Sequence, residues 1–190
     1  MTSSARKARL GLAAVFTVFS LSMGALGFRS IERWIDSGKT APQFALPDVD
    51  GQNVSLESLR GKAVVLVFWS ARGARSNEYS RRIVRLAETY ASDDRVVMLG
   101  IDPTITRITQ PVLGELRVFS SVIGQRFPML IDAGGAVARQ YGVQTRPTVV
   151  VIDKLGRIRY RGAFDDNPDE ALVRQQYCAD ALASTLGQQL

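Results

Sequence analysis

Six apolar residues in a row, Val64 to Trp69, suit a central strand covered on both faces. The loop Ser70-Ala71-Arg72-Gly73-Ala74-Arg75 follows. From Ser76 to about Tyr90 the apolar period becomes helical: Tyr79, Ile83, Leu86, Ala87 and Tyr90 form a stripe, and Arg81, Arg82 and Arg85 lie off it as a solvated face. Arg95–Asp102 alternates and is β-rich, which predicts the next parallel strand. Pro111 to about Gly124 reads as a second helix with proline in its first turn. Phe127–Ile131 is a short strand and Ala136–Gly142 a brief helix stopped by glycine. Asn167-Pro168-Asp169-Glu170 has the form of an N-cap, a first-position proline and first-turn acids, which predicts a last helix running to about Leu186. A loop at the carboxyl end of a central strand, opening a helix, is where α/β sheets keep their chemistry.

The other strong pattern is N-terminal. Leu10 to Phe28 is an uncharged run of 19 residues, about 28 Å long as a helix, preceded by Arg6, Lys7 and Arg9. This layout predicts an export signal with the N-terminus inside and the rest of the chain outside the membrane. Ala25-Leu26-Gly27 offers small residues for cleavage, yet the run is long enough to stay as a single-pass anchor, and the reading favours retention. The expected organisation is a signal-anchor over 1–28, a tether over 29–40 and one domain over 41–190.

Three segments carry a family resemblance. Phe68-Trp69-Ser70-Ala71-Arg72-Gly73-Ala74-Arg75-Ser76 resembles the active-site segment of thioredoxin-like redoxins, of both the alkyl hydroperoxide reductase/thiol-specific antioxidant type and the membrane-anchored thiol-disulfide type. In those families it usually reads Phe-Trp-Ala-x-Trp-Cys-x-x-Cys, so Gly73 and Ser76 stand where the two cysteines belong. Ala41–Lys62, with its Asp50-Gly51 turn, resembles the redoxin N-terminal hairpin. Gly142–Gly162, opening Gly142-Val143-Gln144-Thr145-Arg146-Pro147-Thr148, is similar to the family's Gly-Val-x-x-x-Pro-Thr segment with its strand, turn and antiparallel partner strand, where the proline is cis and faces the active-site loop. The resemblance implies a thioredoxin-like α/β fold, a central mixed sheet flanked by helices. By family it also implies a bacterial thiol-disulfide oxidoreductase or antioxidant protein on the periplasmic side of the membrane.

The residues argue against that chemistry. The chain has one cysteine and no histidine, so no Cys-x-x-Cys, no intrachain disulfide and no Ser-His arrangement exists. Ser76 is too weak an acid to replace a thiolate without a base. Thioredoxins often hold a buried proton-handling carboxylate near the position of Val67, which is apolar here. In the fold that the resemblance implies, the positions of Arg72, Arg75 and Arg146 converge on the face that includes Pro147. Arginine suits bidentate binding of carboxylate or phosphate. The reading that follows is a redox-inactive binding or scaffold module with a protein or anionic partner at that face. The alternatives are an oxidoreductase acting through Cys178 or a cysteine-bearing partner, and a purely structural subunit. Cys178 itself reads first as a small apolar group beside the Leu172/Ala179/Leu182/Leu186 stripe.

Charge excludes one further class. The formal net charge is +6, but removing Arg6, Lys7 and Arg9 from the 24 basic residues leaves 21 against 18 acids, a net of +3. That is too mild for a nucleic-acid partner. Asp48, Asp50, Asp165, Asp166 and Asp169 fall in turns and caps without calcium-loop spacing, so no metal and no cofactor are expected. The loop Asp102–Gln110 offers no chemistry that the sequence identifies.

Overall fold

The computed structural model describes residues 38–187, apart from the side chains of 75–77. The proposed signal-anchor and most of the tether lie outside the described residues. Among these residues, no helix is long and apolar enough to cross a membrane.

A hairpin comes first, β1 (Ala45–Pro47) and β2 (Asn53–Ser55), paired antiparallel around Asp50-Gly51. The Asp48 carboxylate fixes this turn by accepting from the Asp50 and Gln52 N–H groups, both at 2.8 Å. Then follow β3 (Ala63–Phe68), α1 (Ala74–Thr89), β4 (Val96–Asp102), α2 (Gln110–Val122), β5 (Met129–Ile131), α3 (Ala136–Gln140), β6 (Thr148–Ile152), β7 (Ile158–Gly162) and α4 (Tyr177–Gly187). Five strands make one sheet in the order β5-β4-β3-β6-β7. β3 is parallel to β4 and antiparallel to β6, so the sheet is mixed and β3 is its centre.

Every residue of β3 is buried, which is why its run is apolar without alternation. Its two faces feed two cores. Ala63, Val65 and Val67 join Tyr79 and Ile83 of α1 and Tyr177, Cys178, Leu182 and Leu186 of α4. Val64, Leu66 and Phe68 join Val137 and Ala138 of α3, Tyr141, and Ala41, Phe44 and Leu56 from the N-terminal segment. This two-sided packing fixes the carboxyl end of β3, where the candidate site lies.

Two expectations need correction. First, α1 begins at Ala74 rather than Ser76, with Gly73 as its N-cap, so Arg75 and Ser76 belong to its first turn and not to the loop. Second, no helix starts at Pro168. Glu170–Leu172 is one 3-10 turn capped by Asp169, and α4 starts only at Tyr177. The reason is competition for backbone groups. Arg82 donates to the Asn167 and Pro168 carbonyls at 2.9 and 2.8 Å, taking the acceptors that a helix there would use. The Asp166 carboxylate accepts from the Arg174 and Gln175 N–H groups and holds the chain extended into α4.

Arg82 therefore departs from the solvated face expected for it. Its side chain is 7% exposed and ion-paired with Asp165, itself 2% exposed. Its Cζ also lies 4.2 Å from the centre of the Tyr79 ring. Arg85 stays exposed and pairs with Glu170 at 2.8 Å.

Candidate functional site

The loop after β3 is held from below by Trp69, which is fully buried. Its indole N–H donates to Met129 Sδ at 3.2 Å, and its ring packs edge-on against Phe119 at 5.5 Å and tilted against Phe127 at 6.1 Å. Gly100 sits beside it on β4. A Cβ there would meet both Met129 Sδ and the Trp69 indole nitrogen at 3.1 Å, so glycine makes room for this packing. Trp69 is thus core, as its position in an apolar run implies.

A second anchor was not visible in the sequence. Asp102, at the end of β4, is fully buried. One carboxylate oxygen accepts from the Ala71 N–H at 3.0 Å. The other accepts from the Thr104 N–H at 2.8 Å and the Thr104 hydroxyl at 2.6 Å. Thr104 Oγ1 lies 3.1 Å from Ser70 Oγ. Asp102 thereby ties the loops after β3 and β4 together. The available signal was an acid closing an otherwise apolar strand, followed by Pro-Thr. Asp102→Ala is expected to cost roughly 1–3 kcal/mol, since it leaves the half-buried Ala71 N–H without its acceptor. Urea unfolding together with faster hydrogen exchange at Ala71 would register it.

On this frame Gly73 and Ser76 occupy the start of α1 as N-cap and third helical residue, with no side-chain cap at Gly73. Pro147 is buried and follows a cis Arg146–Pro147 bond, with Arg146 exposed. The register Phe68↔Thr148 places Pro147 beside the strand-to-loop junction at Trp69. The loop, the start of α1 and the proline thus come to one end of the sheet, as the resemblance implied. Val67 is fully buried between Gly100 of β4 and Val149 of β6, so no carboxylate occupies that position.

Two site candidates differ from their sequence reading. Arg72 is not a free cation, because its guanidinium pairs with Glu115 of α2, the Nε–H donating at 2.9 Å. Both partners are more than half exposed, so the pair is worth little and is open to competition. Cys178 lies in the core between α4 and the sheet and is fully buried. Burial, helped by the nearby Asp165 charge, pushes its thiol up to about 12. A thiol so placed is neither nucleophilic nor reachable.

Two outcomes follow for Cys178. Iodoacetamide at pH 8 is expected to leave the native chain unmodified and to alkylate it fully in denaturant, with the label read by intact mass. The thiol ionises near 9.0 when exposed and about 12 when folded, so its contribution to stability is complete below pH 9 and is lost as pH rises toward 12. Cys178→Ala should flatten that alkaline decline.

At the positions that match the family cysteines stand Gly73 and Ser76. The arrangement offers a rigid, partly basic surface with an uncapped helix N-terminus. Known proteins share its frame. ResA, a thiol-disulfide oxidoreductase of Bacillus cereus, is 31% identical over 134 residues, covering 70% of this chain and 72% of ResA. The crystal structure of a conserved protein from Geobacillus kaustophilus superposes with a TM-score of 0.71 at 27% identity, covering 81% of this chain and 84% of that one. A thiol-disulfide oxidoreductase from Bacteroides fragilis shares the fold at a TM-score of 0.61 and 23% identity, over 80% of this chain and all of that one. The fold is thioredoxin-like. Residues 37–161, which carry the strand, loop, helix and proline described above, match the AhpC/TSA family, and the chain belongs to it.

Proposed function

We propose that this chain is a membrane-anchored, extracytoplasmic thioredoxin-like protein that has given up thiol chemistry and uses the same face to bind a protein or anionic partner. The observation that carries this reading is the pair Gly73 and Ser76 at the start of α1, after a loop still held by Trp69 and Asp102. Drift alone would be free to loosen a loop with no task. Here the frame is kept while the nucleophile and the proton-handling carboxylate are both absent. The charge pattern supports the ligand class. Arg75 lies in the first turn of α1, a position electrostatically poor for a cation unless an anion is bound there. Arg146 is exposed beside Pro147, and Arg72 can exchange the carboxylate of Glu115 for that of a partner.

Thiol-disulfide exchange through Cys178 has no such support, because the thiol would have to leave the core to meet a substrate. The N-terminal run supports the anchor and the side of the membrane on which the domain works.

The test is capture of partners from membranes by the tagged full chain, cross-linked with an amine-reactive reagent, with and without reductant. A partner that is retained in reductant, retained by Cys178→Ala and lost in Arg72→Ala/Arg75→Ala/Arg146→Ala is the expected result. Capture that needs Cys178, or that ignores the three arginines, would overturn the reading.

A further inference from the structure

The end of the sheet opposite Gly73 and Pro147 gathers positive charge. β3 starts there at Ala63, and the register Val64↔Ile152 brings the β6–β7 turn beside it, about 20 Å from the loop after Phe68. The Gly61 N–H donates to the Lys154 carbonyl at 3.0 Å, and the Arg60 guanidinium donates to the Leu155 carbonyl. The first described residues join the same place: the Gly38 N–H donates to the Ile158 carbonyl and the Ala41 N–H to that of Gly156, both at 2.9 Å. Three segments thus deliver Lys39, Arg60, Lys62, Lys154, Arg157 and Arg159 to one end of the domain, all but Arg159 exposed. The acids among them are two. Asp153 is buried and pairs with Arg159 at 2.8 Å, and Glu57 meets Arg60 at 3.5 Å. Beyond Ala63, Arg95 is matched by Asp93 with Asp94 nearby, so the excess of charge lies on the β6–β7 side.

Leu155 stands at the tip of that turn and is 58% exposed. The turn presents it rigidly. The Asp153 carboxylate accepts from the Leu155 and Arg157 N–H groups, both at 2.9 Å, and Gly156 takes the φ of 76° that the reversal needs. A leucine exposed alone is ordinary. One ringed by cations suits an anionic lipid surface, which meets the charges with its headgroups and the apolar tip with its acyl boundary.

The covalent path gives the geometry. The anchor proposed above ends at Phe28, and residues 29–37 lead from it to Gly38. Fully extended, this tether reaches at most about 35 Å, which keeps the end of the domain that Gly38 enters close to the lipid.

We infer that the domain docks through this end on the membrane that anchors it, with the cations on anionic lipid headgroups and Leu155 at their boundary. The face of Gly73 and Pro147 is then turned away from the lipid and open to a partner. This docking rests on the anchor reading for its tether alone.

The 15N-labelled full chain in nanodiscs tests it. The discs are phosphatidylcholine, alone or with about one third phosphatidylglycerol, and carry a headgroup lipid that chelates gadolinium. In anionic discs the Lys62, Leu155 and Arg157 amides should broaden about tenfold more than in neutral discs, and about tenfold more than Ala71 and Gly73. Salt at about 0.5 M should remove the difference between the discs, and so should Lys62→Glu/Arg157→Glu. Equal broadening in both discs, or broadening strongest at Ala71 and Gly73, would overturn the docking and leave the anchor standing. A chain retained by anionic discs alone would support the docking and overturn the anchor. A chain retained by neither would overturn both.

Discussion

Arg82→Ala should destabilise the domain by roughly 3–5 kcal/mol at neutral pH, a large part of the ~5–15 kcal/mol that holds a typical domain together. The loss has two sources. Asp165, 2% exposed, would be left as a buried carboxylate with no cation beside it. The Asn167 and Pro168 carbonyls would lose the donor that keeps residues 164–176 in place against α1. Urea unfolding would measure the cost, and Asp165→Asn separates the sources, because it removes the buried charge and keeps the guanidinium on the carbonyls. Acid gives a second check. Burial already holds the Asp165 carboxyl above the usual carboxylate range, outweighing the pull of Arg82. A carboxyl raised on folding stabilises the fold below its unfolded pKa, and that gain is lost as pH rises through the folded value. Without Arg82 the folded value rises further. The gap between Arg82→Ala and the native chain should therefore be full above that higher range and narrow as pH falls through it. A gap of under about 1 kcal/mol at pH 7, the value of an exposed pair, would show that Arg82 is solvated after all.

This pair also marks where sequence reasoning stops. The sheet was readable because β3 is buried on both faces, and six apolar residues in sequence have few other uses. The Asp50-Gly51 turn and the Pro147 segment were readable from local turn chemistry and from resemblance. Arg82 was misread because helical period alone put it on the polar side of α1. Whether a residue at the edge of that stripe meets water or a distant loop depends on where residues 164–168 return, which is tertiary information. The same long-range contact undid the predicted helix at Pro168: a good local capping pattern lost its carbonyls to a side chain 85 residues away. Asp102 was passed over for a related reason. Its partners, Ala71 and Thr104, are backbone and hydroxyl donors on two loops, and no spacing rule links them. For the site, resemblance placed Gly73, Ser76 and Pro147 together. It had no means of showing that Arg72 turns to Glu115.

In insulin-disulfide reduction Gly73→Cys/Ser76→Cys is expected to turn over and the native chain to stay silent. The two positions are an N-cap and the third residue of α1, an i, i+3 pair at a helix start, which suits the ~5.5 Å Cα separation of a disulfide. A thiolate at position 73 would gain from the uncapped helix N-terminus, which lowers thiol pKa. The loop needs no rebuilding, since Asp102 and Trp69 hold it from side chains that the substitutions do not touch. Turnover should nevertheless fall about 10²-fold short of what proton handling allows, because Val67 supplies no base in the core below the loop. Three results discriminate. Activity in the double variant and none in the native chain would show a working frame from which only the reacting groups are missing. Silence in a double variant whose disulfide has formed, by mass, would mean that the loop geometry itself has left the redox-competent state. Activity in the native chain that disappears in Cys178→Ala would move the chemistry to α4, and would require the core around Cys178 to open during turnover.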